Sequence, residues 1–153
     1  MAFPKGFFIG AATAAHQVEG NNVNSQYGPA GMLPCPEGAE LTQMDYEFYP
    51  EALEHVIRRV REDFKGDLIV TENGIAVSDD TRRVEFIRRA LQGVEACVKD
   101  GIPVRGYCYW SLMDNFEWQK GFGMTFGLIA VDRATQTRTP KPSLTFLGSY
   151  SET

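Results

Sequence analysis

Residues 66–76 read Gly66-Asp67-Leu68-Ile69-Val70-Thr71-Glu72-Asn73-Gly74-Ile75-Ala76. Three consecutive apolar residues between turn formers predict a short buried strand, and Asn73-Gly74 is a strong turn signal at its end. Upstream, Leu53, Val56, Ile57, Val60 and Phe64 recur on one helical face after Pro50, a residue welcome in a first helical turn. Downstream, Asp79-Asp80-Thr81 places acids at the positive end of a second helix. Its apolar stripe is Val84, Ile87, Leu91, Val94 and Val98, and Gly101 and Pro103 close it. Val104 to Trp110, mixed β-branched and aromatic, predicts a further strand. Strands joined through helices pair in parallel with right-handed crossovers, so the fold class is α/β.

Outside this unit the pattern changes. Residues 6–15, Gly-Phe-Phe-Ile-Gly-Ala-Ala-Thr-Ala-Ala, predict another buried strand whose small residues admit close packing. Residues 20–40 carry Gly28, Pro29, Gly31, Pro34, Pro36 and Gly38 among asparagines, which predicts a loop. About twenty residues is long for a loop in a compact domain. The segment from 111 to 150 is rich in glycine and aromatics, with one apolar run at Leu128–Val131 and a proline-punctuated tail.

The bulk properties bound the function. A chain of 153 residues with 43% hydrophobic and 23% charged residues reads as one globular domain. A net charge of −5 argues against nucleic acid as a partner. No apolar run approaches a membrane span, and the start Met-Ala-Phe-Pro-Lys-Gly lacks the layout of a signal peptide. Cys35, Cys97 and Cys108 form no CxxC pair and leave an odd thiol. Neither a disulfide framework nor a zinc site is indicated, and the expected location is cytoplasmic.

The residues with chemistry lie at strand ends. Glu72 ends a parallel strand, at the face where α/β sheets place their chemistry; a turn acid before Asn-Gly is the alternative. Tyr109-Trp110-Ser111-Leu112-Met113-Asp114-Asn115-Phe116-Glu117-Trp118 follows the last strand and holds both tryptophans of the chain near carboxylates. An aromatic plane beside carboxylates suits a sugar, whose C–H face stacks while its hydroxyls find acceptors; an aromatic core edge is the alternative. Gln17 and Glu19 follow the first strand and either face a ligand or bond locally.

Together these segments resemble glycoside hydrolase family 1, the β-glucosidase family of (β/α)8 barrels. Phe7-Phe8-Ile9-Gly10-Ala11-Ala12-Thr13-Ala14-Ala15-His16-Gln17-Val18-Glu19-Gly20 is similar to its opening signature, departing at Ile9, where an aromatic is usual, and at Asn21, where a small residue is. Leu68 to Ala76 resembles its nucleophile signature. Tyr109 to Trp118, with Gly121 and Phe126-Gly127-Leu128, resembles its eighth strand and glycone-binding loop, and Arg138-Thr139-Pro140-Lys141 its C-terminal stretch. The resemblance implies a retaining β-glucosidase acting on a β-glucoside or short β-linked oligosaccharide. Glu72 would be the catalytic nucleophile that forms a covalent glycosyl-enzyme. Gln17 and Glu117 would accept hydrogen bonds from sugar hydroxyls, Trp110 would stack, Trp118 would meet a second hydroxyl, and Phe126 would wall the pocket. Glu117-Trp118 resembles the branch acting on unphosphorylated sugars. No metal or organic cofactor is implied.

The resemblance breaks between about Gly31 and Glu40. A full (β/α)8 domain needs about 250 residues, so the expectation is a single truncated domain over 1–153 with a junction loop at about 21–40. It is a partial barrel whose strands match the first, seventh and eighth, with 104–110 in the middle. The Asn-Glu step that would supply the general acid/base is missing: none of Asn21, Asn22, Asn24, Asn73 and Asn115 precedes a Glu. The family's glycone-binding histidine is missing too, since His16 belongs to the first signature and His55 to a helix. Glu117, Glu19, Asp114, Glu37 and Glu40 are the candidate substitutes. The open edges and the interior face need a cover: self-association, or the 31–40 loop or C-terminal tail folded over the sheet. Two alternatives stand beside catalysis, a non-catalytic sugar-binding remnant and a deleted relic that depends on a partner chain.

Overall fold

Val104–Trp110 alternates Val104, Gly106 and Cys108 with Arg105, Tyr107 and Tyr109, and the two tyrosines are completely buried. A strand that buries large side chains along its length belongs in the middle of a sheet. The computed structural model, which describes residues 3–12 and 37–151, places it there. Strand β1 is Phe8–Ala12, helix α1 Ala52–Asp63, β2 Leu68–Asn73, α2 Asp80–Lys99 and β3 Val104–Trp110. The sheet order is β1-β3-β2 and both pairings are parallel. The expected middle position of 104–110 is therefore observed. A single turn of 3-10 helix, Trp118–Lys120, precedes an antiparallel hairpin of β4 (Ile129–Val131) and β5 (Arg138–Pro140). Helix α3, Pro142–Gly148, follows. The proline tail was not expected to be helical; Pro142 sits in its first turn, where a missing N–H costs nothing.

The main core lies between sheet and helices. Ile57 of α1, Ile87, Leu91, Val94 and Cys97 of α2, Val104, Tyr107 and Tyr109 of β3, and Leu128 and Leu147 close it. Helix α2 carries most of this load and has the expected cap, with the Asp79 carboxylate accepting from Thr81 N at 2.9 Å. It ends at Gly101, whose φ of +79° is the left-handed conformation that a glycine adopts freely. Val84 and Val98 of the expected stripe are only half-buried, and Arg83, Phe86, Ala90 and Cys97 join the buried face.

Three burial expectations are corrected. β1 is shorter than 6–15 within the described residues and is not a buried strand: Phe8 is 68% exposed and the rest half-buried. β2 is not buried either, with Ile69 56% exposed. Helix α1 begins after Pro50, at Ala52, and of its expected stripe only Ile57 is buried. Val56, Val60 and Phe64 stand 58%, 41% and 50% exposed. The cause is common to all three. Phe8 and Ile69 both lie opposite Gly106 and face the side of the sheet away from the helices, and α1 is an outer helix, so these apolar faces find no neighbour among the described residues. The described part of the 21–40 junction, from Glu37, forms neither helix nor strand, and residues 13–36 lie outside the described residues.

Candidate active site

The tyrosines of β3 orient the end of β2. Tyr107 Oη donates to Asn73 Oδ1 at 3.0 Å, and Tyr109 Oη accepts from Ile75 N and donates to Ile75 O, both at 3.3 Å. These contacts lie on the helix-covered face. Strand side chains alternate between faces, so Glu72, next to Asn73, and Trp110, next to Tyr109, point to the opposite, open face. The register sharpens this. Val70 pairs with Tyr107 and Asn73 with Tyr109, so β2 spends one more residue than β3 over that interval. Such a bulge redirects a side chain where a strand ends. Glu72 is exposed, and among the described residues its carboxylate holds no hydrogen bond or ion pair.

The turn after Glu72 presses on the end of β3. A β-carbon at Gly74 would sit 1.6 Å from the Trp110 carbonyl oxygen, so only glycine fits there. Trp110 is half-buried, and the Trp110–Ser111 peptide is cis.

The segment beyond Trp110 is stapled from several sides. Leu112 N donates to Ala12 O at 2.8 Å, tying it to β1, and Leu128 N donates to Ser111 O at 3.0 Å. Buried Asn115 donates to Ser111 Oγ at 3.1 Å and Met113 O at 3.2 Å. Asp114 accepts from Gly127 N at 2.7 Å and from Lys141 Nζ at 2.9 Å. Burial lowers the Lys141 pKa, and the Asp114 carboxylate opposes that shift. Gly127 is required here, since a β-carbon would come within 2.1 Å of Asp114 N.

Glu117 opens the turn that carries Trp118, with its N–H donating to Gly121 O at 2.7 Å. Its carboxyl is half-buried and holds no hydrogen bond or ion pair among the described residues, and burial pushes its pKa up. Trp118 adopts φ +33°, an uncommon conformation for a bulky residue. Phe126 lines a pocket of about 150 Å³ with Thr42, Tyr46, Glu47, Gly74 and Ile75. That pocket adjoins the turn after Glu72.

The wall formed by 42–49 was not anticipated, and neither was its anchoring. Gln43 Oε1 accepts from Thr125 N at 3.1 Å and Thr125 Oγ1 at 2.7 Å, fixing the residue before Phe126. Arg83, fully buried, donates to the carbonyls of Val77 and Thr125 and pairs with Asp80. The Asp80-x-x-Arg83 spacing on a helix is the signal that marks it.

Two expected acid/base substitutes are corrected. Asp114 is committed to Lys141 and Gly127 N. Glu40 accepts from Arg82 Nε at 2.9 Å at the start of α2, so it does not reach over the strand ends. Glu37 is exposed. Gln17, Glu19 and His16 lie outside the described residues. Among the described residues no group of His, Cys, Asp and Glu is arranged to hold a metal ion, and no helix is long and apolar enough to cross a membrane.

Comparison with known proteins accords with this geometry. The profile of Glycosyl hydrolase family 1 matches residues 34–153. A 6-phospho-beta-galactosidase of Leptotrichia buccalis is 35% identical over 158 residues, covering 95% of this chain and 34% of the relative. The apo structure of beta-glucosidase 1317 superposes with a TM-score of 0.77 at 58% identity, over 78% of this chain and 30% of that one. A beta-glucosidase from Thermotoga maritima in complex with glucoimidazole superposes with a TM-score of 0.70 at 29% identity, over 76% of this chain and 28% of that one. The chain thus spans about a third of the length of the curated relative. Its sheet is a three-stranded, open part of a (β/α)8 barrel among the described residues. This protein belongs to glycosyl hydrolase family 1.

Proposed function

We propose that this chain hydrolyses β-D-glucosides with retention, through a covalent glycosyl-enzyme on Glu72. The observation that carries the reading is the emergence of Glu72 and Trp110 on one open face, at the ends of adjacent parallel strands. Trp110 stacks on the sugar's C–H face, and the Glu72 carboxylate attacks the anomeric carbon as the bond to the leaving oxygen breaks. Water then cleaves the ester, returns the carboxylate and releases the sugar. The Glu117 carboxyl, without a hydrogen bond or ion pair among the described residues, accepts from sugar hydroxyls. Trp118 supplies a further hydroxyl contact and Phe126 a wall. Gln17, outside the described residues, is assigned a further sugar-hydroxyl contact by the family resemblance alone. Glucose rather than a 6-phosphosugar is the proposed glycone, because Glu117-Trp118 resembles the branch of the family that acts on unphosphorylated sugars. The ligand named with the Thermotoga maritima structure, glucoimidazole, is in keeping with a glucoside.

The sequence lacks the Asn-Glu step, and proton donation to the leaving group is worth about 10²–10⁴-fold. The test therefore uses 2,4-dinitrophenyl β-glucoside, whose leaving group departs as a stable anion. Turnover that disappears in Glu72→Gln supports the assignment, and unchanged turnover sinks it. Acceleration by azide shows that no carboxylate has replaced the missing base. The same missing step favours a second reading, a sugar-binding protein without hydrolysis. Glucose binding weakened by Trp110→Ala, with no dinitrophenol release, selects it.

A further inference from the structure

Arg83 is the one charged side chain that is fully buried among the described residues. Its neighbours on α2 take surface partners: Arg82 reaches Glu40, Arg88 reaches Glu85 and Arg89 reaches Glu51. Arg83 instead turns inward. One Nη donates to the carbonyls of Val77, at 2.7 Å, and Thr125, and the other pairs with Asp80. Asp80 is itself fixed, accepting from Ser143 N and Ser143 Oγ at 2.8 Å each. The two carbonyls belong to the segments that carry the pocket of about 150 Å³: Ile75 and Ala76 line it just before Val77, and Phe126 just after Thr125. The same segments are tied again where Thr125 Oγ1 donates to Val77 O at 2.8 Å. Tyr109 Oη, which holds Ile75, lies near the guanidinium, whose charge opposes the burial that pushes this hydroxyl up to about 12. Burying a guanidinium is costly unless its donors are matched. Only a planar fork serves a carboxylate and two carbonyls at once, so a lysine ammonium cannot replace it in full.

We propose that Arg83 is a positioning residue, which fixes Thr125 against the 75–77 turn and so holds Phe126 in place as a wall of the sugar pocket. Arg83 touches no substrate and acts through Phe126. The inference rests on the sugar-site reading of Glu72, Trp110 and Phe126 given above. Without the fork, Val77 O and Thr125 O lose their shared donor, and Phe126 shifts relative to Gly74 and Ile75. That shift loosens the grip on the sugar and leaves Glu72 where it is, because the end of β2 is oriented separately by Tyr107 Oη on Asn73.

The test uses the purified full-length chain and two readouts. In protein labelled with 4-fluorophenylalanine, the Phe126 signal in the fluorine NMR spectrum is the one missing from Phe126→Ala. Arg83→Lys keeps a charge for Asp80 and should move that signal. Phe7, stacked on Phe3 just before β1 and identified in the same way, should stay unmoved. Calorimetric titration should show glucose binding weakened by about threefold in Arg83→Lys. In the Phe126→Ala background the same substitution should leave glucose binding unchanged, since the group it acts through is gone. A loss that persists in that background reports general loosening and overturns the proposal. So does a Phe126 signal that stays in place in folded Arg83→Lys. A parent that binds no glucose overturns the sugar-site reading, and this role for Arg83 with it. The fluorine spectrum tells the two failures apart, since Phe126 still moves in the second case. If Arg83→Lys does not fold, Arg83→Gln combined with Asp80→Asn removes the buried charges together and takes its place in both readouts.

Discussion

The backbone of Gly74 lies against the carbonyl of Trp110 with no room for a β-carbon, which would stand 1.6 Å from that oxygen. The contact joins the turn after Glu72 to the last residue of β3. It sets how far apart the carboxylate and the aromatic plane stand, using no side chain of either. Gly74 is thus required here for packing as well as for turning.

Gly74→Ala is the first test of that relationship. A rigid carbonyl cannot yield as a flexible side chain does, so overpacking here should cost at least about 1–3 kcal/mol. Urea denaturation should show the loss. Dinitrophenyl glucoside turnover should fall in the fraction that stays folded, although Gly74 bears no chemistry.

Asp114 and Lys141 form a largely buried pair that pins the segment after β3 to the start of α3. Lys141→Met alone leaves the carboxylate buried beside only Gly127 N and should destabilise by about 3–5 kcal/mol. Asp114→Asn with Lys141→Met should recover part of that loss. Thermal melts of the two single variants and the double variant check the coupling.

Glu117 gives a pH dependence whose sign follows from burial. Its pKa is raised in the folded state, so the folded protein holds this proton more tightly than the unfolded chain does. Its contribution to stability therefore falls as pH rises from the ordinary carboxylate range through the raised value. Glu117→Gln should raise Tm at neutral pH and leave it almost unchanged at pH values below both. If sugar hydroxyls need the ionised carboxylate, glucose binding in the parent should weaken as pH falls through the raised value.

The sequence made β3 and helix α2 legible, because their apolar residues are buried within this chain: Tyr107, Tyr109, Ile87, Leu91 and Val94 are all fully enclosed, while the central place of β3 followed from the family resemblance. It misled at Phe8, Ile69, Val56, Val60 and Phe64, since periodicity records which faces are apolar and not whether a neighbour is present to cover them. Helix α3 is seven residues long, too short to show a period. At the site, Glu72 and Trp110 were readable as strand-end residues. The engagement of Asp114 by Lys141, 27 positions away, and of Thr125 by Gln43, 82 positions away, had no local signature.

Trp110→Ala should weaken glucose binding by up to about tenfold, the scale of one lost aromatic contact. The fold should persist, because Trp110 projects onto the open face and not into the core. Calorimetric titration with glucose, beside a thermal melt, distinguishes a lost platform from a lost structure.

The central claim is covalent chemistry at Glu72. Incubation with 2,4-dinitrophenyl 2-deoxy-2-fluoro-β-glucoside slows both steps, and the good leaving group lets the intermediate form and accumulate. Digestion and mass spectrometry should then place a fluoroglucosyl group on the peptide containing Glu72, with none on Glu72→Gln. A folded protein that gains no adduct, or carries it on another residue, would contradict the account.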